Sequence, residues 1–451
     1  MKRVNRDIIL LIASMGIFVE ALDIAIVNLA IPEIEKDLGL TNHSSYQLQS
    51  LYILTYGCFL VLGGKLSDFF GRKKIFLWGT GIFLLTSLGA GLSHTFYSLL
   101  TFRILQGLGA ALLMPAAFSI VNYYFTEPEE RSKAIAVFSS FAAIGSASGL
   151  SVGGIITSYL GWSWVFLINV PILVVVMAVI YFILEKDTSV NSGLPDIPSA
   201  IVMVLVMLCI TWTTDLLSEA AEHYPGILLC ITGAAVLTWY LYTRLKTQAS
   251  PLLSLEVLSL SSLKKGNLLF VLLGALFTGY LFMMSFLVQK NFHFSAASSG
   301  FLMMPFNILS VIVARFALPK IVGKISSRHL AVWGNLAMLA GAICLVAAVQ
   351  YHNLVFLVAG GSFIAGIGMT LCFTGYSVIA MERVPAEHLG VGGSLTTTSY
   401  LVGGGLGLPL FAAFMDTTAG VTNSKPVLIL LAIALLCIGI LKRDDRQSAR
   451  D

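Results

Sequence analysis

Charge is scarce in this 451-residue chain. Asp, Glu, Lys and Arg make up 11% of it, where a soluble domain carries about 25%. With 57% hydrophobic residues and a mean hydropathy of +0.88, that scarcity excludes a water-soluble globular protein and indicates an integral membrane protein. Cysteine is sparse as well. The six present (Cys58, Cys209, Cys230, Cys344, Cys372 and Cys437) fall inside apolar stretches, with no C-x-x-C pair and no clustered histidines. They read as small buried residues, which leaves out a disulfide framework and a metal site. The chain also lacks G-x-x-x-x-G-K-[ST], so an ATP-driven pump would be without its phosphate-binding loop. No nucleophile stands beside a placed base. Neither an enzyme, a cofactor nor a nucleic-acid partner is expected.

Windows of about 20 apolar residues, the length that crosses a bilayer, number fourteen: 8–32, 48–66, 76–92, 99–124, 134–160, 163–184, 196–215, 224–244, 266–289, 298–318, 330–350, 354–380, 388–415 and 424–441. The first is too long for a signal-peptide core, contains two acids and has no small-residue cleavage site behind it, so it reads as a span. The joint at Gly161–Trp162 is the tightest. Placing both termini in the cytoplasm puts all but five of the 27 Lys and Arg on the inner side; Lys36, Lys290 and Lys425 fall outside, and Arg103 and Arg315 lie within spans. That asymmetry is what the positive-inside rule requires. The expected fold is therefore an all-α integral membrane protein. A six-helix bundle (1–184) and a second with a cytoplasmic tail (266–451) flank two inserted transmembrane helices with their loops (185–265), as in a transporter built from two parallel repeats.

Glu20 and Asp23 stand in the middle of the first window, which is otherwise almost wholly apolar. Acids at that depth are tolerated where they face water, a cation or a proton path. Three residues apart on a helix, they lie about 60° from each other and can share one cavity. Arg103, in the outer half of the fourth window, is the obvious counter-charge. With both acids ionised the trio carries one net negative charge, and protonating one acid makes it neutral, so a proton and a cationic substrate would compete for one place. The two acids are expected to titrate as a coupled pair. The plainer alternative is a static Asp23–Arg103 pair that braces the bundle. Between the second and third windows, Gly64, Asp68, Gly71 and Arg72 combine turn glycines, an acid and a base; Asp68 can pair with a nearby Arg or with a helix N-terminus and hold one side shut.

That loop, Gly64-Lys65-Leu66-Ser67-Asp68-Phe69-Phe70-Gly71-Arg72-Lys73-Lys74, resembles the G-x-L-x-D-x-x-G-R-K signature of the major facilitator superfamily. Further segments resemble its fourteen-helix drug:proton antiporter branch, which includes quaternary-ammonium, multidrug and tetracycline exporters. They are Leu22-Asp23 through Val27-Asn28 to Pro32, Arg103-Ile104-Leu105-Gln106-Gly107-Leu108-Gly109-Ala110-Ala111, and Gly145-Ser146-Ala147-Ser148-Gly149-Leu150-Ser151-Val152-Gly153-Gly154. The resemblance covers nearly the whole chain and implies a proton-gradient-driven exporter working by alternating access. In that reading Asp23, Glu20 and Arg103 couple the proton, while Gly145, Gly149, Gly153 and Gly154 join the loop residues in conformational change. Leu150 stands where the antiporter motif has proline, which keeps open a proton symporter for a metabolite; a narrow-substrate, tetracycline-like exporter is a further alternative. No acid lies deep in the last six windows, which disfavours substrates of charge +2.

A drug site needs apolar and aromatic walls with few polar anchors. Asn28, Tyr52, Tyr56, Gln106, Met114, Tyr280, Met283 and Phe286 are the candidates to touch substrate. The expected partners are a small amphipathic molecule, protons and membrane lipid. The expected protein is a monomer in a bacterial inner membrane.

Overall fold

Apolar segments in hydrocarbon find no water for their backbone groups, so each must bond its own. The computed structural model describes residues 3–40, 42–184, 195–216, 220–248, 251–253, 255–322, 324–385, 389–415 and 425–448. Among these residues the regular elements are helices, joined by turns and loops, with one isolated bridge between Val322 and Ile325. The long helices are α1 (Arg3–Leu38), α2 (Gln47–Phe70), α3 (Arg72–Gly91), α4 (Phe96–Tyr124), α5 (Pro128–Leu160), α6 (Ser163–Leu167 with Asn169–Ile183), α7 (Ile197–Leu216) and α8 (Ala220–Thr247). They continue with α9 (Ser261–Phe286 with a π-turn at Leu287–Asn291), α10 (Ala296–Ile312, running on to Ile321), α11 (Ser327–Tyr351), α12 (Leu354–Gly361 through a π-helical stretch to Met369–Met381), α13 (Leu389–Ala412) and α14 (Lys425–Ser448).

Each of the fourteen expected windows lies on one of these helices. Among the described residues, twelve are long and apolar enough to cross a membrane: α1 to α6, α8 to α12, and α14. Of the other two, α7 is described as an apolar stretch over Ile197–Thr213, and α13 is diluted by Thr396, Thr397, Thr398 and its glycines. Large apolar side chains such as Phe182, Leu229, Phe316 and Val355 stand exposed, as lipid-facing residues do. The sharp joint between α5 and α6 is made by Gly161 at φ 88°, left-handed backbone that glycine enters without steric cost.

The chain forms two compact units: Met1–Leu40 with Gln47–Ser254, and Thr41–Tyr46 with Leu255–Asp451. In the first, α1 lies chiefly on α5, α4 on both α2 and α3, and α6 on α3. The pair α7–α8 belongs to this unit, with α7 leaning on α2. Asp196 opens α7, accepting from the Ser199 amide and hydroxyl and from Arg244 Nη2 of α8 at 2.8 Å. Burial pushes its carboxyl up, but these donors outweigh burial and hold it below the usual range. Lys65 of α2 reaches the Pro251 carbonyl beyond α8. In the second unit α9 lies on α13 and α11 on α12 and α14; a Cβ built on Gly274 would fall 1.9 Å from the Tyr400 carbonyl oxygen.

Small residues let membrane helices approach where no hydrophobic force drives them together. Gly145, Gly149 and Gly153 form one stripe of α5 against α1: a Cβ on them would meet the Phe18 carbonyl at 2.5 Å, the Ala25 Cβ at 2.7 Å and the Ile26 Cγ1 at 2.5 Å. The helix bearing Glu20 and Asp23 is therefore seated on glycine. Gly149→Ala is expected to lower stability by about 1–3 kcal/mol through overpacking and to slow transport. Gly81→Ala, which meets nothing within 4 Å, should be neutral or stabilising by up to about 1 kcal/mol. Denaturant midpoints in detergent, compared for the two variants, check this.

Candidate functional site

A carboxylate in hydrocarbon survives where donors converge on it, and four helices of the first unit, α2, α3, α4 and α6, bring polar groups to the network around Asp23. Asp23 and Arg103 are fully buried, and Arg103 Nη1 lies 2.6 Å from Asp23 Oδ2. The other carboxylate oxygen, Oδ1, accepts from Gln106 Nε2 of α4 and Asn169 Nδ2 of α6, each at 3.0 Å. Arg103 is satisfied in turn: Nη1 donates to Gln106 Oε1 at 2.7 Å, Nη2 to Gln49 Oε1 at 2.9 Å and Nε to the Leu48 carbonyl at 3.1 Å. Gln106 also donates to Ser87 Oγ of α3 at 2.8 Å, and Gln49 to the Ile24 carbonyl at 3.1 Å. Charge pairing and full hydrogen bonding are what make two buried charges tolerable.

Glu20, one turn earlier on α1, is 8% exposed and lies near the Tyr56 hydroxyl of α2. Tyr52 stands between the two systems. The Arg103 guanidinium stacks on its ring at 4.1 Å, and its ring centroid is 6.3 Å from that of Tyr56. The Tyr52 hydroxyl and Asn169 Oδ1 are buried without a partner. The structure thus brings Glu20, Asp23, Arg103, Tyr52, Tyr56 and Gln106 into one cluster. Asn28 sits beside it, its amide turned back to the Ile24 carbonyl of its own helix at 2.8 Å.

The remaining candidates lie elsewhere. Gly145, Gly149 and Gly153 line the α1 contact described above, and Gly154 is buried on the same helix. α5 runs as one helix through Leu150. Gly71, at φ 93°, makes the turn from α2 into α3, and Gly64 is half-buried near Pro115. Arg72 donates from Nε to Ser119 Oγ at 2.9 Å and stacks on Tyr123 at 4.3 Å, which ties this turn to α4. Asp68 is exposed, within reach of the Arg72 charge. Met114 packs on an apolar cluster that includes Ile9, Leu113, Phe138 and Val176. Tyr280, Met283 and Phe286 are buried on α9 in the second unit, where Phe286 stacks with Phe282 at 4.9 Å.

A family model described as "Major Facilitator Superfamily" matches residues 13–408. The chain belongs to the Major Facilitator Superfamily. It is a membrane transporter, not an enzyme. This superfamily member is 28% identical over 424 residues to the tetracenomycin C resistance and export protein of Streptomyces glaucescens, covering 91% of this chain and 76% of that one. It is 28% identical over 430 residues to the cephamycin export protein CmcT of Amycolatopsis lactamdurans, covering 92% and 86%. Solved structures agree on the fold. The POT family transporter PepTSo aligns with a TM-score of 0.70 at 14% identity over 100% and 98% of the two chains. A D-xylose-proton symporter aligns with a TM-score of 0.68 at 15% identity over 96% of each.

Sequence reading of this transporter missed Gln49, Ser87 and Asn169. Each is a polar residue inside an otherwise apolar window, and that anomaly is the signal that would have found them. Asp23→Asn leaves the Arg103 guanidinium buried without its counter-charge and is expected to cost about 3–5 kcal/mol. Adding Arg103→Gln should restore most of that loss, whereas Asn169→Ala should cost about 1 kcal/mol. Unfolding of the purified protein in denaturant, followed by tryptophan fluorescence, measures all three.

Proposed function

We propose that this transporter is a proton-coupled exporter of amphipathic, cationic or zwitterionic drugs, working by alternating access. Fourteen helices cross a bacterial cell membrane with both termini in the cytoplasm, α7 and α8 being a pair inserted between two six-helix bundles. The single observation that carries the reading is the pair of buried carboxyls on α1, with Asp23 matched to Arg103 and Glu20 matched by no cation among the described residues. An acid so placed exchanges a proton for a positive charge on cargo. Relatives named for resistance to, or export of, antibiotics support the drug as that cargo. The proposed substrate contacts are Asn28, Tyr52, Tyr56, Gln106 and Met114 in the first unit and, taken by themselves, Tyr280, Met283 and Phe286 in the second. The protein works as a monomer, with no bound cofactor.

The energetics suit the task. A proton entering a cell at 100 mV, negative inside, releases about 2.3 kcal/mol, and one unit of pH difference adds about 1.4 kcal/mol. Exchanging one proton for one monovalent cation cancels the electrical part, and the pH difference alone then drives export. For a neutral or zwitterionic cargo both parts contribute.

The test is proton movement on adding drug. Proteoliposomes that trap a fluorescent pH indicator and are acid inside should turn alkaline when ethidium is added, at least tenfold faster than protein-free liposomes. Acidification of the lumen would mean symport, the alternative that Leu150 keeps open. No proton movement with ethidium or with a panel of cationic and zwitterionic drugs would contradict the proposal.

A further inference from the structure

Away from the charge cluster, the first unit holds a cleft at the end where α1 and α5 begin. Leu10 of α1, Phe125 just past α4, and Ala134 and Val137 of α5 form its apolar floor, and Arg6, Asp7, Glu130 and Lys133 form its rim. Its volume is about 210 Å³, below the roughly 300–1,000 Å³ of a site for a drug-sized molecule. A smaller polar head fits. With both termini in the cytoplasm, as proposed above, the cleft opens at the inner surface of the membrane.

The rim carries both signs of charge and satisfies itself only in part. Arg6 Nη2 donates to Glu130 Oε2 at 2.9 Å, and the guanidinium lies over the Phe125 ring at 4.7 Å. Its Nη1 makes no hydrogen bond among the described residues, and its Nε is buried without a partner. Lys133 pairs with the exposed Glu129 at 2.7 Å. Asp7 is exposed and makes no ion pair among the described residues. The cleft therefore offers a donor at Arg6 and an acceptor at Asp7. The four rim charges sum to zero, so a headgroup of either net charge gains less than one that carries both signs. Deeper in the membrane the surface is apolar. Leu11 stands one turn on from Asp7, and Ile144 two turns on from Val137; the three apolar residues are 48%, 55% and 41% exposed. Residues spaced by four and by seven share a helix face, and this one is a track that a hydrocarbon chain can follow.

We infer that this cleft is a binding site for a zwitterionic phospholipid of the ethanolamine type. The ammonium group bonds to Asp7, the phosphate accepts from Arg6 Nη1 with Lys133 beside it, and one acyl chain follows Leu11, Val137 and Ile144 into the bilayer. A primary ammonium donates hydrogen bonds to a carboxylate; a trimethylammonium head has no N–H to give and needs more room. Basic residues at the ends of membrane helices recognise lipid phosphate in this way, and the unpaired acid beside them selects a head that also carries a cation. The bound head bridges the first turns of α1 and α5 and supports the Arg6–Glu130 pair between them.

Native mass spectra of the full-length protein in detergent report bound lipid when phosphatidylethanolamine, phosphatidylcholine and phosphatidylglycerol are offered together at equal concentration. The inference expects the ethanolamine lipid to be retained about fivefold over each of the others, the upper value for one exposed ion pair. That preference should vanish in Asp7→Asn and in Val137→Trp, which blocks the chain track. It should persist in Arg131→Gln, a neighbour on α5 that does not line the cleft. Asp7, Val137 and Arg131 are all exposed, so folding is expected to survive each change. Equal retention of the choline or glycerol lipid, or a preference untouched by Asp7→Asn and Val137→Trp, would overturn the site. Displacement of the bound lipid by a zwitterionic drug, with a raised transport KM for that drug in Asp7→Asn, would also overturn it and make the cleft an entry port for cargo. Lipid retention is read without proton movement, so its failure and that of the proposed function are told apart.

Discussion

The polar network at the centre of the first unit is arranged around one constraint, that a carboxylate at membrane depth must be surrounded by donors. Asp23 cannot be left with apolar neighbours, because an unpaired charge there costs several kcal/mol. Arg103 supplies the opposite charge but brings its own N–H groups, which need acceptors. Leu48, Gln49 and Gln106 provide them, and Gln106 and Asn169 complete the carboxylate. Four helices are drawn to α1 by this chain of obligations: α2 through Gln49, α3 through Ser87, α4 through Arg103 and Gln106, and α6 through Asn169. The fifth neighbour, α5, contributes no polar group to the cage and lies against α1 on glycine instead.

These two modes of contact suit a moving part. Hydrogen bonds at one side of α1 fix its rotation and hold its register. The stripe at Gly145, Gly149 and Gly153 lets the Phe18 carbonyl, Ala25 and Ile26 of α1 come close on another side, into space that side chains on α5 would fill. Glu20, one turn earlier on the same helix, lies outside this cage of hydrogen bonds.

Much of this was legible beforehand, and the gaps have physical causes. Hydrophobic length alone located the helices, because in a membrane every span must satisfy its own backbone. The acids of α1 and Arg103 stood out because charge there is so costly. Gln49, Ser87 and Asn169 did not, since an amide or hydroxyl in a span is cheap enough to be common and reveals its purpose only when three-dimensional structure sets it beside a charge. The pocket candidates fall in different surroundings for a related reason. Tyr52 and Tyr56 lie at the charge cluster, whereas Met114 is packed on an apolar core, and nothing in the composition of a membrane helix tells an aromatic or Met that faces cargo from one that faces its neighbours. Among the described residues, α13 falls short of the length and composition of a span because it is rich in glycine and threonine.

The central claim is that the buried cluster of the first unit ties one proton to one cargo charge. The most direct measurement is the steady-state accumulation of ethidium in proteoliposomes under an imposed pH difference, with membrane voltage set independently by a potassium gradient and valinomycin. One-for-one exchange predicts about a tenfold accumulation for each unit of pH difference and no response to voltage. Accumulation that follows the voltage and ignores the pH difference would contradict the account.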